Sequence, residues 1–392
     1  MDFLKDKTKK RQFWFTYGVF VINGMLALSV GSLLPFIRDA KGLDYAFCGM
    51  LVSLHSVGNL ISSFAGGILP IFIGRKKSIL IFDTFFAAAY LLIIFGSSRS
   101  ALALAFLLTG LARGAASNFC NASVNSLAPG KAWTINGLHA MFSIGAFLFP
   151  IILTLLTVMQ ESGWIYAVYF MLAMGVVSWL LYFIMPVGND RLEKNGNGGG
   201  SFAFFKMPLF YICTFTLFFY LCAEQGVIGW MVTYFKDTGL LGEALAQITA
   251  SVLWIMILAG RLTTAFASTR VKKEKLLPAM GIGMILFFLL LIFSRSTAGI
   301  VAGIMGFGFS MAGVYPTTVS FTGGLIQRYP MAWNFILTFA SIGSIVMPSV
   351  IGRIAEAANI YYGMSAIGAV LVVDFAFIAG LCAYIGKRGV LQ

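Results

Sequence analysis

An arginine, three asparagines, a serine and a glycine fall on one side of the segment 101–127. At 100° per residue, Arg113, Ser117, Asn121, Gly114, Asn125 and Asn118 occupy an arc of about 140°. Leu111, Ala112, Ala115, Phe119 and Ala122 lie opposite. Amides, a hydroxyl and a guanidinium on one stripe can bind the hydroxyls or the charge of a small polar solute. Hydrocarbon would not solvate them, so the stripe faces protein or water. It either lines a cavity or ties helices together by hydrogen bonds, and the cavity is the favoured reading. Glu224 is the only acid within the segment 205–235. Arg113 and Glu224 each stand about 11 residues from one end of their segment, about 16 Å at 1.5 Å per residue, and so at similar depth. The two are expected to face each other across a cavity. An arginine partner would hold the carboxylate ionised. A solute that claims either member would let the carboxylate exchange a proton, which couples proton to solute. A structural ion pair is the competing reading.

Further polar residues extend this set. Asn23, followed by Gly24, is a cavity candidate in the first segment. His139 contacts solute or relays protons, although a single histidine on an apolar helix is more often hydrogen-bonded packing. His55 and Asn59 share a face at i, i+4 and are equally well explained as structure. Trp230 and Tyr315 could stack on the apolar face of a sugar ring; Tyr234 reads better as part of an interfacial aromatic belt. Pro316 frees a backbone carbonyl and marks a bend beside Tyr315. Asp83, Arg261 and Arg75 read as gate or structural charges.

The elements that must position these groups follow from hydropathy. Of 392 residues, 59% are hydrophobic and 10% charged, against about 25% charged in soluble domains. Twelve mostly apolar runs cover 12–37, 44–73, 78–97, 101–127, 132–157, 163–187, 205–235, 244–269, 275–294, 297–326, 331–356 and 360–386. Each can cross a hydrocarbon core of about 30 Å as a helix. The first run follows a basic tail but is too long for a signal-peptide core, so it reads as a span. The net charge of +13 has a topological cause: 19 of the 27 Lys and Arg residues fall in alternate gaps. That is the positive-inside bias, which puts both termini in the cytoplasm and excludes a nucleic-acid surface. Basic loops also favour anionic lipid head groups. Five cysteines without CxxC spacing read as reduced packing residues. Residues 188–204, with Asn195 to Gly200 at their centre, form a polar cytoplasmic linker between six-helix bundles at 1–187 and 205–392.

The halves are related. Asn136, Ser143, Ile144, Gly145 and Pro150 recur 198 residues later as Asn334, Ser341, Ile342, Gly343 and Pro348, and Gly110 and Gly308 share the offset. A six-plus-six duplication marks carriers whose halves rock about a central site. Residues Gly137 to Ala146 with Pro150, and Glu224 to Phe235, carry a resemblance to the major facilitator superfamily of transporters. Within it the chain resembles the fucose-permease-like branch of sugar:proton symporters. The resemblance implies an all-α membrane fold of twelve helices in two pseudo-repeat bundles, with spans 1, 4, 7 and 10 around the cavity. The family's loop 2–3 motif survives only as Gly67 and Gly74-Arg75-Lys76, with Pro70 at its acidic position. The acids that fucose-type symporters carry in spans 1 and 4 are absent.

No GxxxxGK[ST], HExxH or GxSxG motif occurs, so neither direct use of ATP nor a familiar hydrolytic site is expected. The expectation is a secondary active transporter, not an enzyme. It moves a small polar solute, a sugar or sugar-like compound, by alternating access with proton symport, in a bacterial inner membrane. Arg113 keeps a sugar-acid or other organic-anion carrier open; drug or metabolite efflux and a non-transporting receptor follow. No cofactor or metal is implied. The expected partners are the solute, a proton and membrane lipids, and the chain is expected to act as a monomer.

Overall fold

The computed structural model describes residues 5–129, 131–160, 162–189 and 202–389. Arg191, Lys194 and the glycine-rich centre of the linker lie outside them. Hydrocarbon offers no partner for backbone amides and carbonyls, so a long apolar run must satisfy them within itself, as a helix does. The described chain does so in α1 (Lys7–Lys41), α2 (Tyr45–Ile73), α3 (Arg75–Phe95), α4 (Arg99–Leu127), α5 (Ala132–Met159), α6 (Gly163–Ile184), α7 (Pro208–Asp237), α8 (Glu243–Ala267), α9 (Lys273–Phe293), α10 (Thr297–Met311), α11 (Val314–Phe321), α12 (Gly323–Arg328), α13 (Pro330–Ala357) and α14 (Ile360–Gly389). Among the described residues, twelve spans are long and apolar enough to cross a membrane. No strand occurs among the described residues.

The tenth span is discontinuous. It breaks at Ala312-Gly313, between α10 and α11. The proline ring of Pro316 would collide with the carbonyl four residues earlier, that of Ala312. The helix therefore restarts, with Gly313 as N-cap. Pro316 then falls in the first turn of α11, where its missing amide hydrogen has no intrahelical role. Tyr315 stands at this joint.

Packing divides the chain into two units, Met1–Leu43 with Met50–Asn195 and Asp44–Gly49 with Gly196–Gln392. In the first, α1 packs on α4, α5 and α6, and α3 on α4 and α6. In the second, α7 packs on α8, α13 and α14, and α9 on α10 and α14. Large apolar side chains such as Phe72, Phe95, Leu155 and Phe293 remain exposed, as surfaces solvated by lipid tails would.

The two units repeat their construction at an offset of 198. A Cβ on Gly145 would overlap the Val21 carbonyl oxygen where α5 crosses α1; one on Gly343 would overlap the Phe218 carbonyl oxygen where α13 crosses α7. Gly110 stands likewise against His55 O of α2, and Gly308 against Leu253 O of α8. Small residues at these points let backbones touch. The hairpin ends correspond too. Ser98 caps α4 by accepting from Ala101 N at 3.1 Å, and Ser296 caps α10 by accepting from Gly299 N at 3.2 Å.

Candidate functional site

In the first unit, α1, α4 and α5 gather Arg113, Ser117 and Asn121 of the predicted polar stripe, while Gly114 and Asn118 face α2 and Asn125 is exposed. Asn23 is buried, and its Nδ2 donates to Ser117 Oγ at 3.0 Å. Its Oδ1 has no hydrogen-bond partner among the described residues. Asn121 Nδ2 donates to the Ser117 carbonyl at 2.8 Å, one turn back on its own helix. One turn away, the Arg113 guanidinium lies over the Phe142 ring, 5.9 Å from its centroid. Phe142 packs on Phe20 at 5.6 Å, and Phe20 meets the His139 ring edge-on at 5.8 Å. A cation, two amides, a hydroxyl and a short aromatic row thus share one region. Such a surface can hold a solute that has both polar groups and an apolar face.

In the second unit, α7, α8 and the joint of the tenth span assemble a different set. The Tyr220 hydroxyl donates to Glu224 Oε1 at 3.0 Å. The Tyr220 and Tyr315 rings are 6.1 Å apart. The charges of Glu224 and Arg261 both act on the two tyrosine hydroxyls. Arg261, expected as a gate charge, therefore sits in the neighbourhood of Glu224. Tyr315 is the counterpart of Ser117 at the offset of 198, so each cluster includes a residue from the same point of its own unit's fourth span.

Other expected residues take different positions. Trp230 is fully buried and donates its indole hydrogen to Pro348 O at 3.1 Å, which commits it to packing between α7 and α13. Tyr234 is fully buried, not lipid-facing as a belt residue would be. Asn118 turns from Ser117 towards α2 and donates to Ser63 O at 2.9 Å. With Arg75 it lines a cavity of about 330 Å³. Asp83 is buried and accepts from Ser178 Oγ at 3.1 Å, which joins α3 to α6. His55 bonds Thr109 Oγ1 at 2.8 Å across the α2–α4 contact, the structural one of its two readings.

The family model described as Major Facilitator Superfamily matches residues 14–348. The chain belongs to the Major Facilitator Superfamily. It is a multi-pass integral membrane protein of a transporter family and not an enzyme. The glucose/mannose transporter GlcP of Bacillus subtilis (strain 168) is 24% identical over 364 residues, 86% of each chain. A TsgA homolog of Erwinia tasmaniensis is 21% identical over 368 residues, 92% of each. Among solved structures, the nucleoside transporter NupG aligns with a TM-score of 0.77 at 16% identity, covering 96% of this chain and 99% of that one. A bacterial homolog of the human lysosomal transporter Spinster aligns with a TM-score of 0.78 at 13% identity, covering 97% and 98%.

For this member of the superfamily, sequence reasoning missed Tyr220, Phe20 and Phe142. Tyr220 was legible as the i, i−4 neighbour of Glu224. The two phenylalanines were not, because in apolar spans phenylalanine is the ordinary filler.

Proposed function

We propose that this superfamily member is a proton-coupled symporter of a small polar solute, a sugar or sugar-like compound, in a bacterial inner membrane with both termini cytoplasmic. The observation that carries this reading is the hydrogen-bonded Tyr220–Glu224 pair with Arg261 and Tyr315 around it. A carboxylate held by a phenol and near a guanidinium can exchange a proton when a solute hydroxyl replaces one of those partners. Asn23, Ser117, Asn121 and Arg113 supply the amide and cationic contacts of the other half, and His139 extends them. Trp230 acts through packing. The relation to a glucose/mannose transporter supports a sugar-sized solute. The half-buried Arg113 favours a second reading, in which the solute is a sugar acid or another small organic anion.

Proteoliposomes with an internal pH dye test both readings against a panel of neutral sugars and organic anions. Acidification by one solute class is expected, and Glu224→Gln should abolish proton entry while isotopic solute exchange persists. Proton-driven accumulation that survives in Glu224→Gln removes Glu224 from coupling.

A further inference from the structure

A second site lies wholly within the first unit, apart from the cluster around Arg113. The cavity of about 330 Å³ is bounded by the start of α1, the second half of α2, the first turns of α3 and the middle of α4. Arg75 lines it, half-buried. Among the described residues its guanidinium has neither an ion pair nor a hydrogen bond. No aspartate or glutamate lines the cavity, and Pro70 stands in the wall at the position where the related motif carries an acid. A guanidinium in a partly enclosed space, with no carboxylate to balance it, is a site for an anion from outside the chain.

The remaining donors can be counted. Ser63 and Ser78 have spent their hydroxyl hydrogens on Asn59 O and Gly74 O of their own helices. Gln12 uses one amide hydrogen, towards Ser123 Oγ at 2.9 Å, whereas the Asn118 amide serves both Ser63 O at 2.9 Å and Ser62 O at 3.5 Å. Gln12 therefore keeps a second hydrogen for a ligand. The first turns of α3 contribute Arg75, Ser78 and Ile79 to the wall. A Cβ on Gly67 would meet nothing within 4 Å, so the wall there is open. We propose that this cavity binds a phosphate group, held by the Arg75 fork and assisted by the amide of Gln12. Arginine matches phosphate oxygens two at a time, which a neutral solute could not exploit. The group belongs either to a free phosphate compound or to a phospholipid head. The site is independent of the solute and coupling assignments above.

Protection of Arg75 from phenylglyoxal, followed by peptide mass spectrometry, tests the proposal on the full-length protein without a transport assay. In delipidated detergent solution, inorganic phosphate is titrated against chloride at matched ionic strength. Modification of Arg75 should slow by 1 + [L]/Kd, about tenfold at nine times Kd, while that of exposed Arg270 stays constant. Gly67→Leu, which fills the open wall, should remove the protection. In a second arm the protein sits in nanodiscs of phosphatidylglycerol or phosphatidylcholine. Protection by either lipid without added phosphate identifies a lipid head as the source; protection by free phosphate alone identifies a soluble compound. An Arg75 rate that neither phosphate nor lipid changes overturns the proposal, as does equal protection of Arg75 and Arg270.

Discussion

Gly145→Ala should destabilise the protein by about 1–3 kcal/mol, the usual cost of adding atoms to a packed interior. The new methyl group would overlap Val21 O and stand 2.8 Å from Val21 C and 3.0 Å from Met25 N. All three are backbone atoms of α1, so no side chain can rotate away. Residues of α1 from Asn23 to Ile37 are buried without a break, so the helix cannot yield without disturbing its neighbours on several sides. Gly343→Ala meets the equivalent wall, Phe218 O with Phe218 C at 3.2 Å and Cys222 Sγ at 2.9 Å, and should cost a similar amount. Gly380→Ala is the control. Its Cβ meets nothing within 4 Å, and alanine's better helix propensity should stabilise it by about 0.8–1 kcal/mol. The variants should therefore separate by about 2–4 kcal/mol, between one and three orders of magnitude in the unfolding constant. Equilibrium unfolding in mixed micelles, followed by tryptophan fluorescence, measures the difference. A Gly145→Ala protein within about 0.5 kcal/mol of Gly380→Ala would refute the argument that backbone contact at this crossing excludes a side chain.

Two further outcomes are expected. The Asn23–Ser117 hydrogen bond should contribute about 0.6 kcal/mol in a double-mutant cycle, the average for polar pairs in membrane interiors. Ser117→Ala should nonetheless slow solute exchange by more than about tenfold, a loss that 0.6 kcal/mol of structural coupling cannot explain; a loss within threefold would leave the pair a purely structural role. Asn189 accepts from Lys77 N at 3.0 Å and donates to Ile73 O at 3.1 Å, which makes it the cap that Gly74 lacks a side chain to provide. Asn189→Ala should cost about 1 kcal/mol locally and speed hydrogen exchange at Lys77 about fivefold; unchanged exchange there would contradict the capping role.

Much of the fold was legible because lipid constrains it so tightly. Run lengths and basic gaps placed twelve spans within a few residues of their helices. Pro316 foretold the bend in the tenth span, although the actual break lies three residues upstream, at Gly313. Site geometry was less legible, for a definite reason. Hydropathy gives the depth of a residue along its helix and periodicity its angle on that helix, but neither says how the helix is turned towards its neighbours. Asn23 and Ser117, read separately as cavity candidates, meet because both sides of their contact are polar. Arg261 stood alone in an apolar span, so nothing in its surroundings pointed towards Tyr220 and Tyr315. Tyr234 was read as interfacial and Trp230 as a ring-stacking residue, yet both are fully buried. The stripe itself proved divided: Ser117 turns towards α1, whereas Asn118, only one residue on, turns towards α2 and a separate cavity.

The duplication carries a consequence for how the labour of transport is shared. What the halves hold in common is joinery: the crossing glycines Gly145 and Gly343, and the capping serines Ser98 and Ser296. What they do not share is charge. The counterpart of Arg113 is Met311, and the counterpart of Glu224 is Leu26. The first half carries Arg113 with the amides, while the second carries the acid, the phenols and a cation of its own, Arg261. A chain built from two copies of either half would close the same helix crossings and cap the same hairpins. It would nevertheless carry only one of the two linings, so asymmetry of lining within symmetry of frame sets the two halves of this duplicated scaffold apart.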